Sequence, residues 1–147
     1  MRGEGGLSRL CLLLLAFGIA GTAAELLLLG HIEDWQQWIP IALFAVGFPL
    51  ALMLVWAHRP RVVTIFRGTM ALYVASGLVG TWLHYRGNVE FELEMTPEAT
   101  GLPLVWEALT GATPALAPGT MVWFGLLGLI AVWRDPARSP ADSPTEG

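Results

Sequence analysis

The sequence predicts an all-α membrane protein, a bundle of four transmembrane helices with both termini on the cytoplasmic side. Hydrophobic residues make up 54% of the 147 residues, and the mean hydropathy of +0.58 lies above that of ordinary soluble domains. Four stretches are long and apolar enough to cross a bilayer core, which takes about 20 helical residues. Basic residues flank alternate ends of these stretches, as the positive-inside rule requires.

The apolar stretches place the four helices at about 10–30, 38–57, 68–85 and 113–133. The first contains one charged residue, Glu25, and the fourth becomes densely apolar near Pro118. Pro49 lies in the middle of the second, where its missing N–H predicts a kink. We expect residues 1–134 to form one membrane domain and the polar, proline-rich residues 135–147 to form a disordered cytoplasmic tail.

The first stretch also has features of a cleaved secretory signal. Arg9 precedes an apolar run at 10–20, and the small residues at 22–24 would suit a signal peptidase. Cleavage before Glu25 would leave three helices with the same orientation. We favour a retained helix because residues 26–29 extend the run to spanning length.

The arginines predict the orientation. All eight basic residues are Arg, and seven of them lie on the side that holds both termini. Arg86 alone accompanies the glutamates of the opposite side. By the positive-inside rule the Arg-rich side is cytoplasmic, so we expect a multi-pass protein of a bacterial inner membrane with both termini in the cytoplasm.

Tryptophans support the same orientation, because indole prefers the headgroup region of a bilayer. Trp123 lies in the middle of the fourth helix, where we expect it to pack against another helix instead. Trp106 would join the interface residues if its segment lies on the membrane. The expected membrane-interface anchors are Trp35, Trp38, Trp56, Trp82 and Trp133.

Residues 86–112 form a predicted structured, extracytoplasmic insertion between the third and fourth helices. Apolar and acidic residues alternate strictly over 89–95, which is typical of an extended strand with one apolar face. A helix-start signal at 96–98 then predicts a short helix at about 103–110, closed by Gly111. This helix would lie along the membrane or over the outer helix ends, with four apolar residues on one face: Leu102, Val105, Trp106 and Leu109.

Carboxylate and histidine side chains gather at the predicted outer ends of the helices. A carboxylate in hydrocarbon costs several kcal/mol unless it is paired, protonated or able to reach the headgroups, so Glu25 is the sharpest single feature. The alternatives for it are an ion or proton site, an ion pair with Arg86, a hydrogen bond to a neighbouring helix, or a plain interfacial position. The candidate ion or metal site comprises Glu25, His31, His84, Glu90, Glu92 and Glu94.

The cofactor of such a site is not determined by the sequence. Zn²⁺, Mn²⁺ or Fe²⁺ would suit these ligands, but no HxxH or HExxH pair occurs, and a wet acidic rim is the simpler interpretation. Haem is disfavoured because His31 and His84 lie at helix ends rather than inside the bundle.

Small residues predict where helices approach closely. Ala16, Ala20 and Ala24 form a row on the first helix, beside Glu25. The third and fourth helices carry pairs of glycines that should allow close packing, namely Gly77, Gly80, Gly125 and Gly128.

Absent motifs narrow the function. No Walker motif, GxSxG or dinucleotide fingerprint occurs, and no basic stripe would bind nucleic acid. The single cysteine, Cys11, excludes the paired-cysteine chemistry of quinone-linked disulfide-forming membrane enzymes. We therefore expect a non-catalytic accessory or scaffold subunit that contacts lipid and other membrane proteins. The alternatives are a small transporter or ion-binding protein and a cofactor-bearing redox subunit.

Overall fold

Five α-helices account for most of the chain. The computed structural model describes residues 2–30, 35–111 and 113–133, and the predicted disordered tail at 135–147 lies outside these ranges. A 3-10 turn at Trp35–Gln37 precedes the second helix. The helices are α1 (Arg2–Leu28), α2 (Trp38–Trp56), α3 (Pro60–Met95), α4 (Gly101–Thr110) and α5 (Gly119–Ala131).

The helices confirm the prediction of an all-helical membrane protein. α1, α2 with its leading turn, and α3 are each long and apolar enough to cross a membrane, and α5 is a shorter apolar helix. Within the described ranges no residue is in a strand. The architecture is therefore a helical bundle whose apolar helices are compatible with a membrane.

α1 and α3 lie on a diagonal of the bundle. α1 packs against α2 and α5, and α3 packs against the same two helices. The core between them is apolar and is filled by large side chains from all four helices. Its members include Leu12, Leu15, Ile19, Phe44, Leu54, Phe66, Met70, Tyr73 and Met121.

Two hydrogen bonds place both ends of the membrane domain at one end of the bundle. Ser8 Oγ of α1 donates to the carbonyl of Ala131 at 2.6 Å, and Arg67 Nη2 of α3 donates to the carbonyl of Val132 at 2.6 Å. These bonds satisfy two of the carbonyls that a helix C-terminus leaves unpaired. We call this the basic end of the bundle, because Arg9 and Arg59 also lie there.

α3 is much longer than predicted. Its 36 residues, Pro60–Met95, correspond to about 54 Å, against about 30 Å for a bilayer core. Pro60 provides the start, because proline is well tolerated in the first turn of a helix. At the other end the helix continues through residues 86–95, beyond the predicted span at 68–85.

The strand predicted at 89–95 is wrong, because these residues form the last two turns of α3. Glu, Leu and Met are good helix formers, and an isolated strand would leave its backbone groups without partners. In a helix, residues four apart share a side whereas residues two apart do not. Glu90 and Glu94 therefore lie on one side of α3, and Glu92 lies on another.

The predicted short helix in the insertion is confirmed, although it begins at Gly101 rather than near residue 103. The connection from α3 is tight: the Thr96 N–H donates to the Glu92 carbonyl at 2.8 Å, and the Ala99 N–H to the Thr96 carbonyl at 3.0 Å. α4 then packs back against α3. We call residues 86–110 the α3–α4 hairpin, and the end of the bundle that carries it the acidic end.

α5 begins at Gly119, six residues after the predicted start of its span. Pro114 and Pro118 explain the difference, because neither has an N–H to continue an α-helix. The intervening residues instead make hydrogen bonds to carbonyls three positions earlier. One example is the Ala117 N–H, which donates to the Pro114 carbonyl at 3.0 Å. α5 itself has 13 residues and is about 20 Å long, so it is a shorter apolar helix than α1, α2 and α3.

Glycines make the α3–α5 contact close, as predicted. A Cβ added at Gly125 would lie 2.6 Å from the Met70 carbonyl oxygen, and one at Gly77 would lie 2.8 Å from the Val122 nitrogen. Both neighbours are backbone atoms, which cannot turn aside. The two helices therefore approach each other backbone to backbone at these positions.

The predicted alanine row on α1 packs only in part. Ala16 is buried, whereas Ala20 and Ala24 are exposed. Gly18 provides the close contact instead, since a Cβ there would lie 2.7 Å from the ring of Phe124. Within the described chain only the first residue of this row is packed, and close packing at Ala20 and Ala24 stays a prediction.

Candidate functional site

Glu25 lies on the outward side of α1, three residues before the helix ends. Its side chain is exposed, and it makes no hydrogen bond or ion pair with the described part of the chain. Phe17 and Leu28 on the same side are 79% and 87% exposed. Glu25 therefore faces the surroundings of the bundle and not its interior.

Gly21 forms a shallow notch beside Glu25. A Cβ added at Gly21 would meet no atom within 4 Å, and Ala24 in the next turn is also exposed. Residues 17, 21, 24 and 28 follow helical spacing along one side of α1. This α1 outer face, defined as Phe17, Gly21, Ala24, Glu25 and Leu28, is bulky at both ends and small in the middle.

The other members of the candidate ion site lie elsewhere. His84 is half-buried on α3, which is diagonal to α1, and His31 lies outside the described residues. Among the residues that the structure describes, no three His, Cys, Asp or Glu side chains form a group that could hold a metal ion. A site that includes His31 stays a prediction.

The hairpin carboxylates are solvated. Glu90 Oε1 accepts from Arg86 Nε at 2.8 Å, and both side chains are mostly exposed. Arg86 is thus engaged one turn along its own helix and is not the partner of Glu25. Such an exposed pair contributes about 0.3 to 0.5 kcal/mol. Glu94 is exposed and Glu92 is half-buried.

Asn88 holds the hairpin against the bundle through hydrogen bonds. The sequence did not indicate this role. The side chain is 3% exposed, and its Nδ2 donates to the carbonyls of Ala108 at 2.8 Å and Thr113 at 2.7 Å. Its Oδ1 accepts from the Thr113 N–H at 3.2 Å and from the Thr113 hydroxyl. One amide therefore joins α3, α4 and the segment that leads to α5.

Tyr73 provides a second buried polar contact that the sequence did not reveal. Its hydroxyl donates to the Leu43 carbonyl of α2 at 3.0 Å, and a Cβ at Gly47 would lie 2.9 Å from the Tyr73 Cζ atom. Because Gly47 has no side chain, it leaves room for the Tyr73 ring. Pro49 lies inside α2 two residues later, and its kink stays a prediction.

The tryptophans predicted as interface anchors lie on the surface of the bundle, and their place at a bilayer interface stays a prediction. All five predicted anchors, at positions 35, 38, 56, 82 and 133, are exposed. Trp56 also stacks under the guanidinium of Arg9, whose Cζ is 5.2 Å from the ring centroid. The prediction for Trp123 is wrong, because it is 74% exposed and faces away from the other helices.

α4 presents an apolar face that the rest of the described chain covers only in part. The side of α4 that packs inward carries Ala108, which is fully buried. The adjacent side carries the four apolar residues predicted to share a face, and Leu102 and Trp106 among them are 83% and 65% exposed. We call Leu102, Val105, Trp106 and Leu109 the α4 apolar face.

The arrangement has contact surfaces but no assembled reactive centre among the described residues. These surfaces are the α1 outer face and the α4 apolar face, and the hairpin that carries the second of them is acidic. No family model matches the chain, and neither the curated proteins nor the solved structures contain a match.

Proposed function

We propose that the protein is a non-catalytic accessory or scaffold subunit of a membrane complex in a bacterial inner membrane. Its α1 outer face binds a transmembrane helix of another subunit. The observation that carries the proposal is Glu25, a carboxylate without a partner in the described chain, beside the open notch at Gly21. The N-terminal and C-terminal ends lie in the cytoplasm.

The notch favours a neighbouring helix over lipid. Glycine inside a helix costs about 1 kcal/mol relative to alanine, and Gly21 makes no close contact within the chain that would offset this cost. Membrane helices associate through close van der Waals packing, and small residues permit the necessary approach. A helix seated between Phe17 and Leu28 would recover that packing.

Glu25 favours a partner with a polar or basic side chain. With about 30 Å of core beginning after Arg9, Glu25 lies roughly 6 Å inside the outer hydrocarbon boundary. At that depth an ionised carboxylate is unfavourable unless it is hydrogen-bonded or paired. A Ser, Asn, Lys or Arg side chain on the neighbouring helix would supply the bond.

The test is the size and composition of the complex extracted gently from the native membrane. We expect the wild-type chain to migrate on native gels with a stoichiometric partner. Gly21→Leu should release the chain from that partner, because it fills the notch without touching the rest of the fold. Glu25→Gln should weaken the complex less, because an amide still forms hydrogen bonds.

Gly68→Leu is the matched control, since a Cβ at Gly68 on α3 also meets nothing within 4 Å. It should leave the complex intact. Recovery of the wild-type chain as a lone monomer would contradict the proposal, and so would equal loss of the complex in both leucine variants.

A further inference from the structure

We propose that the α3–α4 hairpin binds an amphipathic segment of a partner protein, with an apolar side and flanking Lys or Arg residues. The α4 apolar face contacts the apolar side of this segment, and the hairpin carboxylates contact its basic residues. The inference rests on the proposed accessory role, but it uses a surface outside the membrane and separate from the α1 outer face.

The hairpin reaches beyond the hydrocarbon. Counting about 20 core residues from Gly68 places the outer boundary near Gly87, so residues 88–95 extend roughly 12 Å further. Asn88 holds the end of α4 at this boundary through its bonds to Ala108 and Thr113. Because a five-residue connection joins the two helices, α4 runs back along α3 as an antiparallel hairpin. Its beginning, which carries Leu102, is the part furthest from the bilayer.

The apolar face is most exposed at Leu102 and Trp106, whereas Val105 and Leu109 are 39% and 38% exposed. Its residues recur at the i, i+3, i+4 and i+7 positions, the spacing with which helices bind apolar partners. Leu102 is 83% exposed and Trp106 is 65% exposed. Contiguous exposed apolar patches with a polar rim commonly mark interaction sites, and Trp is enriched in interface hot spots.

The net negative charge of the hairpin favours a basic partner. The hairpin has a single basic residue, Arg86, which already pairs with Glu90. A basic partner would gain from this excess of negative charge in rate of association and in specificity. The hairpin carboxylates are Glu90, Glu92, Glu94, Glu98 and Glu107.

The same charge disfavours two other occupants. A second copy of the chain would bring a second set of glutamates to the contact, with one arginine on each side. An anionic lipid surface would repel the hairpin in the same way, since phosphate groups carry the same sign of charge. A basic, amphipathic protein segment satisfies both the apolar face and the carboxylates.

The test uses the full chain in zwitterionic nanodiscs and a fluorescent helical peptide of about 14 residues with Leu on one face and Arg on the flanks. We expect saturable binding that weakens as salt rises. The double variant Leu102→Ser with Trp106→Ser should bind at least about tenfold more weakly. The double variant Glu90→Gln with Glu94→Gln should also bind more weakly and lose much of the salt dependence.

The controls separate recognition from simple charge attraction. A scrambled peptide of the same composition should bind poorly, and so should one with Glu in place of Arg. Equal binding of the scrambled peptide, or unchanged binding by the serine variant, would overturn the inference. To test for a lipid occupant, a bimane label at Leu102→Cys in a Cys11→Ala background is placed in nanodiscs with brominated lipid. Strong quenching would show that lipid covers the face and would also overturn the inference.

Self-association is tested by sedimentation of the detergent-solubilised chain. A dimer that Trp106→Ser dissociates would assign the face to a second copy and refute the proposed partner. Failure of peptide binding while the Gly21-dependent complex persists would leave the accessory role standing. Loss of that complex together with normal peptide binding would contradict the accessory role and leave the peptide-binding proposal standing.

Discussion

Asn88 shows how much of the acidic end depends on one side chain. It is buried, and its amide uses both its donor and its acceptor groups to join three parts of the chain. A buried polar group that loses its partner costs about 1 to 3 kcal/mol, more than the bond itself contributes. The hairpin should therefore be sensitive to small changes at this position.

Asn88→Asp should loosen the hairpin while the bundle stays folded. The substitution keeps the acceptor for Thr113 but replaces the donor Nδ2 with an oxygen that faces two carbonyls. We expect local opening to become easier by about 2 to 4 kcal/mol, so that α4 amides exchange with deuterium on the order of 10²-fold faster.

Exchange in α2 should stay unchanged in this variant. Thr110→Ala is the control within α4, because the Thr110 hydroxyl bonds only to the Trp106 carbonyl of its own helix. It should leave exchange nearly as in the wild type. Unchanged α4 exchange in Asn88→Asp would show that the hairpin is held by packing alone.

The buried polar contacts are the part of the structure that the sequence did not indicate. The five tryptophans predicted as interface anchors are exposed, and the amphipathic indole suits a bilayer interface. The roles of Asn88 and Tyr73 depend on carbonyls 20 to 30 positions away in the chain. No local pattern contains that information.

Among the elements, the α3–α5 pair forms the closest contact. Glycine on both helices lets backbone atoms meet, at Gly77 and Gly125 above all. The sequence predicted that these glycines lie at close helix contacts, because small residues at helical spacing have few other uses in apolar segments. It did not predict that the two helices contact each other.

Gly125→Ala should destabilise the bundle by about 1 to 3 kcal/mol, because the new methyl group would meet the Met70 carbonyl and Val74. The measurement is unfolding by SDS in mixed micelles, followed by circular dichroism. Gly68→Ala is the matched control on α3, since it meets nothing within 4 Å. It should be neutral or stabilise by up to about 1 kcal/mol. Equal losses in both variants would exclude close packing as the cause.

Residues 89–95 form a helix and not the predicted strand, for a physical reason. Alternation of apolar and acidic residues over seven positions predicts a strand only if another strand is available to pair with it. Residues 89–95 instead follow directly on α3. The backbone N–H of each residue that extends this helix donates a hydrogen bond to the carbonyl four positions earlier. The helix therefore extends through the alternating pattern, as the bond from Thr96 to Glu92 shows.

For the whole molecule, the four apolar stretches predicted the bundle, and the bonds of Ser8 and Arg67 bring the expected ends together. The boundaries were less predictable, since hydropathy indicates how much of a helix lies in lipid and not how far it continues in water. α3 exceeds its predicted span at both ends for this reason. The sequence also could not predict whether the residues of the candidate ion site lie close together, because that depends on which helices are neighbours.

The arginine distribution predicts that the basic end faces the cytoplasm. In a Cys11→Ala background, Glu98→Cys should react with a membrane-impermeant maleimide in right-side-out vesicles. Ala57→Cys, in the exposed connection between α2 and α3, should react only in inverted vesicles. The opposite labelling pattern would reverse the orientation, and labelling of both positions in one vesicle type would contradict the bundle topology.

The length of α3 places the hairpin far from the basic end of the bundle. The helix has no proline after Pro60, so we expect its length of about 54 Å to tilt as one piece. A tilt of about 5° around the basic end would shift the hairpin sideways by about 5 Å, roughly half the spacing of packed helices. Because α3 packs closely along α5 and bonds to it at the basic end through Arg67 and the Val132 carbonyl, such a tilt would carry α5 with it.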